Sequence, residues 1–83
     1  MSDKQILEKI KNIFVKEFES NAASINPETK IYEELELDSL DSVDLIVALE
    51  NEFNFKVNRT ADEPILKNIT AIAHIIDYVK QKI

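Results

Sequence analysis

No glycine occurs anywhere in these 83 residues. Tight β-hairpins rely on glycine for the positive φ angles of their turns, so its absence argues against a turn-rich β architecture. It also excludes glycine loops of the Walker and Rossmann types, whose backbone must approach phosphate closely. What the chain has instead is apolar residues at helical spacing, in three long stretches. The fold expected is all-α: a small four-helix bundle of three main helices and one short helix. A long loop separates helices one and two, and residues 1–83 form a single domain. Chains of roughly 60 residues fold alone only marginally, so one small core is what this length supports. The 45% apolar share favours a globular chain over a disordered one.

Taken in order, Ser2-Asp3-Lys4-Gln5 fits a capping box, and Ile6, Leu7, Ile10, Ile13, Phe14 and Phe18 follow at three- and four-residue steps. This predicts a first helix from Asp3 to Glu19, with its lysines on a solvated face. Ser20 to Leu37 breaks the pattern with Asn21, Ser24, Asn26, Pro27 and Thr29. Ile25, Ile31, Tyr32 and Leu35 are the expected anchors of that loop, with a helical turn near Tyr32–Leu35. The second helix is expected over Asp38–Phe53, then a connector over Asn54–Thr60. Thr60-Ala61-Asp62-Glu63 fits another capping box, and Pro64 suits a first helical turn. A short third helix through Lys67 follows, with Ile65 and Leu66 as core candidates. Thr70 is the expected cap of the last helix, whose apolar face is Ile72, Ala73, Ile75, Ile76 and Val79, with Ile83 at its end.

Charge narrows the partners. The net charge is −6, and nucleic acid is not expected because phosphate backbone calls for clustered Lys and Arg. A protein with a basic patch is the better match. No apolar run approaches a membrane span, and the N-terminus has neither a signal-peptide core nor Arg-rich transit character. The expected compartment is the cytoplasm, or an organelle matrix if a presequence is removed. The expected state is a monomer that does not insert into membranes. Without cysteine there is no disulfide framework and no protein thiolate.

The acidity is concentrated. From Ile31 to Phe55 stand Glu33, Glu34, Glu36, Asp38, Asp41, Asp44, Glu50 and Glu52, with no Lys or Arg among them. Inside this block, Leu45, Ile46, Leu49 and Phe53 form one apolar stripe, and Leu40, Val43 and Val47 form a second that points elsewhere. The first suits the core. The second, ringed by Asp41, Asp44 and Glu50, suits a protein-docking surface. Ser39 opens the second helix just after Asp38. Asp38 competes for the cap, which leaves Ser39 to project outward, and the positive end of the helix dipole favours an anion attached there. With no base in view, the site suits a phosphoester installed by another enzyme. Ser42, one turn on, is the competing acceptor. The only histidine, His74, lies amid Ala73, Ile75 and Ile76 and reads as a surface or packing residue rather than a general base. Asp38, Asp41 and Asp44 fit a solvated acidic face better than a calcium loop or a transition-metal shell, so neither a metal nor a catalytic residue is assigned.

Asp38-Ser39-Leu40-Asp41, followed by Ser42-Val43-Asp44-Leu45 and Ala48-Leu49-Glu50-Asn51-Glu52-Phe53, resembles the acyl carrier proteins of fatty-acid and polyketide synthesis. The resemblance extends through Ile25 and Ile31 in the loop to Ile69-Thr70 and Ile76-Asp77-Tyr78-Val79 at the end. It implies that a Mg²⁺-dependent phosphopantetheinyl transferase moves 4′-phosphopantetheine from coenzyme A to Ser39. The borrowed thiol then carries an acyl group as a thioester, and the protein is a substrate and shuttle, not an enzyme. Asp38, Leu40, Asp41, Val43, Asp44, Val47 and Glu50 are implied to form the face presented to acyl-transfer and chain-elongation enzymes. Leu45, Ile46, Leu49, Ile65 and Leu66 are implied to border the interior that shelters the acyl chain. Three features depart from the family pattern. Glu36-Leu37 stand where a glycine is common, the segment from Val57 to Ile69 is longer and contains Pro64, and Arg59 and Lys67 make the third-helix region less acidic. Two other readings stay open: a carrier-like interaction module that is never modified, and a peptidyl or D-alanyl carrier. The Leu and Asp after Ser39 favour the acyl type.

Overall fold

The computed structural model describes residues 2–58 and 60–83, and of Ser39 the backbone without the side chain. Among the described residues, four α-helices follow in order: α1 (Asp3–Phe18), α2 (Ser39–Phe53), α3 (Glu63–Lys67) and α4 (Ile72–Lys82). Arg59 lies outside the described residues.

The first helix starts where its capping pattern places it. Ser2 Oγ accepts the N–H of Gln5 at 3.2 Å, and Gln5 Oε1 accepts the N–H of Ser2 at 2.8 Å. It stops one residue early, because Glu19 adopts a left-handed conformation (φ 54°) and returns its N–H to the carbonyl of Phe14. Asn54 ends α2 in the same way at φ 61°. Glycine usually fills such positions; here ordinary residues take them.

The core is built from one face of each long helix. Ile6, Ile10, Ile13 and Phe14 of α1 meet Leu45, Leu49 and Phe53 of α2 and Ile72, Ile75, Ile76, Tyr78 and Val79 of α4. Ile83 is a correction: it follows the last residue of α4 and is exposed, outside the core. Burying one such side chain stabilises by roughly 1.5–3 kcal/mol, so this cluster outweighs any single polar contact described below.

The long loop is tied down rather than slack. A 3₁₀ turn at Ala22–Ser24 is capped by Asn21 Oδ1. Buried Thr29 donates its hydroxyl to the Ser24 carbonyl and accepts the N–H of Asn26. Ile25 and Ile31 are buried anchors, Leu35 packs partly, and a turn runs through residues 31–34. Tyr32 is a correction: it is exposed, not an anchor. The loop then fastens to the start of α4, as Ile31 N–H donates to Thr70 O at 3.0 Å and Ile72 N–H to Thr29 O at 2.9 Å.

Two other caps differ from the sequence reading. Asp62, not Thr60, precedes α3, and its side chain does not cap the helix. The carboxylate is drawn inward instead: Tyr78 donates its hydroxyl to Asp62 Oδ2 at 2.8 Å, and Lys82 Nζ lies 2.8 Å from the same oxygen. The hydrogen bond from Lys82, then that from Tyr78, holds the Asp62 carboxyl below the usual carboxylate range. Burial, reinforced by Asp62, pushes the Tyr78 phenol above the usual tyrosine range. Ala71, not Thr70, precedes α4; the acceptor there is His74 Nδ1, which takes the N–H of Thr70 at 3.1 Å and that of Ala71 at 3.2 Å.

Candidate functional site

The acidic stretch enters α2 through a reversal of the chain. Leu37 is buried and its N–H returns to Ile31 O at 3.1 Å. Glu36, just before it, sits at φ 58° in the left-handed region. Asp38 then adopts an extended conformation and caps the helix: Asp38 Oδ1 accepts the N–H of Asp41 at 2.9 Å, and Asp41 Oδ2 accepts the N–H of Asp38 at 3.2 Å. Ser39 is the first helical residue, between exposed Asp38 and exposed Leu40. Its side chain lies outside the description.

The two apolar stripes of α2 separate as their spacing predicts. Leu45, Leu49 and Phe53 are buried and Ile46 is half-buried, whereas Leu40, Val43 and Val47 are 76%, 45% and 43% exposed. Asp44 is exposed and falls within the second stripe, at i+4 from Leu40. An apolar row with a carboxylate in its midst thus faces solvent along the first three turns. Asp41 and Glu50 are only half-buried members of that surface, and both have structural duties. Asp41 completes the cap, and Glu50 Oε2 accepts the N–H of Val57 at 3.0 Å, clamping the connector after α2. Among the described residues, no group of three or more His, Cys, Asp or Glu could hold a metal ion.

Behind the same helix lies a cleft of about 250 Å³. Leu45, Ile46 and Leu49 of α2, Leu66 of α3, and Ile31, Ile69 and Ile75 form its apolar lining. Ser42, Tyr32, Glu63 and Lys67 add polar groups. Ile65 is a correction. Expected in the core beside Leu66, it is 41% exposed and borders a separate groove with Asn68, His74 and Asp77. Adjacent helical residues point about 100° apart, so a single short turn cannot aim both side chains into one cleft.

Comparison with known proteins shows which family the sequence resembles. A family model of the phosphopantetheine attachment site covers residues 8–62. The chain is 40% identical over 82 residues to an acyl carrier protein of Chlorobium phaeobacteroides, spanning 99% of this chain and 100% of that one. It is 31% identical over 80 residues to an acyl carrier protein of a Picosynechococcus species, spanning 96% and 94%. The acyl carrier protein of Cyanidioschyzon merolae is 33% identical over 81 residues, spanning 98% and 85%. This chain belongs to the acyl carrier protein family. Its cofactor is 4′-phosphopantetheine, held covalently.

In this carrier, three functional or supporting features escaped the sequence reading. The left-handed residue before the helix start is Glu36; its signal was the missing glycine. The Asp62–Tyr78–Lys82 cluster joins the approach to α3 to α4; residues so far apart in sequence leave no local pattern. His74 caps α4, a role that its position three residues after Ala71 signals to a reader who allows an imidazole at that place. Among the described residues, no helix is long and apolar enough to cross a membrane.

Proposed function

We propose that residues 1–83 act as one carrier domain whose 4′-phosphopantetheine arm is attached at Ser39. The observation that supports this most is the reciprocal cap of Asp38 and Asp41. It caps the start of α2 with the carboxylates of Asp38 and Asp41, at a helix end whose dipole favours a phosphodiester. The residues present fit the group. The serine position is flanked by exposed residues, and an apolar cleft lies behind the same helix. In the loading step the Ser39 hydroxyl oxygen forms a bond to the phosphorus that bears the pantetheine arm of coenzyme A. The bond to the nucleotide 3′,5′-bisphosphate breaks, and the serine proton goes to the transferase. When bound, the arm supplies the thiol that this cysteine-free chain lacks, and that thiol carries an acyl group as a thioester.

The chain itself performs no catalysis in this reading. Its single histidine is engaged in capping α4. Asp38, Leu40, Asp41, Val43, Asp44, Val47 and Glu50 form the face offered to the transferase and to acyl-transfer and elongation enzymes with basic patches. Leu40, Val43, Asp44 and Val47 bear the contact, while Asp38, Asp41 and Glu50 add charge to it and also hold the helix and the connector in place. Leu45, Ile46, Leu49 and Leu66 shelter the acyl chain; Ile65 is not in that lining. The protein works as a cytoplasmic monomer.

Trypsin cuts after Lys30 and Lys56, so one peptide holds both Ser39 and Ser42. After incubation with coenzyme A, Mg²⁺ and a broad-specificity transferase, fragmentation of that peptide should place the phosphopantetheine on Ser39. A group on Ser42 would move the site, and an unmodified peptide after several transferases would favour the interaction module.

A further inference from the structure

The start of α4 is held in an unusual way. Neither Thr70 nor Ala71 supplies a side-chain cap to it, and the acceptor there is a ring nitrogen one turn inside the helix. His74 Nδ1 accepts from the backbone N–H of both Thr70 and Ala71, with Thr70 Oγ1 at 3.4 Å. A nitrogen that accepts is unprotonated, so in this arrangement the ring proton is on Nε2. The same two residues are where the long loop is fastened. Thr70 O accepts from Ile31 N–H, Ala71 pairs with Lys30 in an isolated bridge, and Ile72 N–H reaches back to Thr29 O. Ala73 N–H adds a bond to Pro27 O at 2.8 Å. Ile31 and Ile69, on either side of this junction, line the cleft behind α2.

We propose that His74 is a pH-responsive latch that fastens the long loop to α4 and so controls the wall of the cleft. An imidazole that takes up a second proton donates from both ring nitrogens. A proton added at Nδ1 turns the shared acceptor into a donor that faces two backbone donors. Thr70 and Ala71 lose their cap, and the ring turns away. The surroundings favour two positions for it. The groove beside His74 is bordered from α3 and its exit by Ile65, Asn68 and Ile69, which do not titrate. On α4 it is bordered by Tyr78, whose hydroxyl is committed to Asp62, and by Gln81 and Asp77. Asp77, three residues along the helix, offers the charged ring a partner. From the loop, the Lys30 ammonium is held by Glu33 at 3.6 Å. The neutral ring therefore caps, the charged ring moves toward Asp77, and the junction loosens as pH falls. The device depends on the fold alone and holds whichever serine is loaded.

Hydrogen exchange of the full chain tests it. Between pH 8 and pH 5, protection factors of the Thr70, Ala71, Ile31 and Ile72 amides should fall about fivefold relative to amides in the middle of α1, the size of a lost helix cap. In His74→Gln, whose amide oxygen accepts at every pH, the relative protection should not change. Equal behaviour of parent and variant, or no relative fall in the parent, would overturn the latch. Should His74→Gln fail to fold, long-range proton–nitrogen spectra of the parent decide alone. A neutral ring protonated on Nε2 at high pH supports the latch, and one protonated on Nδ1 contradicts it.

Discussion

Asp38 and Asp41 cap each other at the start of α2, each carboxylate accepting the other residue's N–H, at 2.9 and 3.2 Å. The pair supplies the side-chain cap of α2 from the two aspartates that flank the proposed attachment residue. Asp38→Ala should therefore lower stability by about 1 kcal/mol, the usual value of a lost N-cap. Ser39→Ala should change it by less than about 0.5 kcal/mol. Urea unfolding of the two variants beside the parent separates these outcomes.

Glu36 sits at φ 58° immediately ahead of Leu37 and the cap. A left-handed conformation costs a residue with a Cβ about 1–2 kcal/mol, and glycine escapes that cost while losing more backbone entropy on folding. Glu36→Gly should therefore raise stability by about 0.5 kcal/mol and lift the melting temperature by a few degrees. A thermal scan that shows a drop would mean that the Glu36 side chain has a stabilising role of its own.

The exposed row Leu40, Val43, Asp44, Val47 is where partner binding should be felt. Asp44→Lys and Leu40→Ala leave the cap untouched, so each should weaken association with the transferase roughly tenfold while changing stability little. The loss for Asp44→Lys should shrink as salt rises, because screening removes the charge contribution first. Calorimetric titration at two ionic strengths checks both statements. Charge reversal at Asp38 or Asp41 is a poorer probe, since it also dismantles the cap.

Tyr78 and Asp62 make opposite demands on pH. The Tyr78 phenol is raised above the usual tyrosine range, so its contribution is complete below about pH 10, the unfolded value. It is lost as pH rises, because the unfolded chain releases that proton first. The Asp62 carboxyl is held low by Lys82 and Tyr78. Its contribution is present above the ordinary carboxylate range of about 4 and is lost as pH falls through the lowered value. Tyr78→Phe should flatten the alkaline fall in stability, and Asp62→Asn should flatten the acid side. Unfolding curves from pH 2 to 11 measure both.

Much of this was legible in the sequence where local signals act alone. The Ser2 and Asp38 starts, the periods of α1, α2 and α4, and the outward stripe on α2 all follow from spacing and capping chemistry. The misreadings fall where a side chain takes a partner other than the one its nearest pattern suggests. Asp62 turns from its helix to Tyr78 and Lys82, and a histidine takes over the cap expected from Thr70. Ile65 was placed in the core because a helix of one turn carries too few residues for its apolar period to define a face. Glu50 was legible as acidic but not as the clamp on Val57, since that bond depends on how the connector folds back.

The central claim is that Ser39 is an attachment point the fold does not need. The direct measurement is the intact mass and melting temperature of parent and Ser39→Ala, before and after incubation with coenzyme A, Mg²⁺ and a phosphopantetheinyl transferase. The account predicts a phosphopantetheine-sized gain in the parent, none in the variant, and melting temperatures within a few degrees. A gain that survives in Ser39→Ala, or a variant that no longer folds, would contradict it.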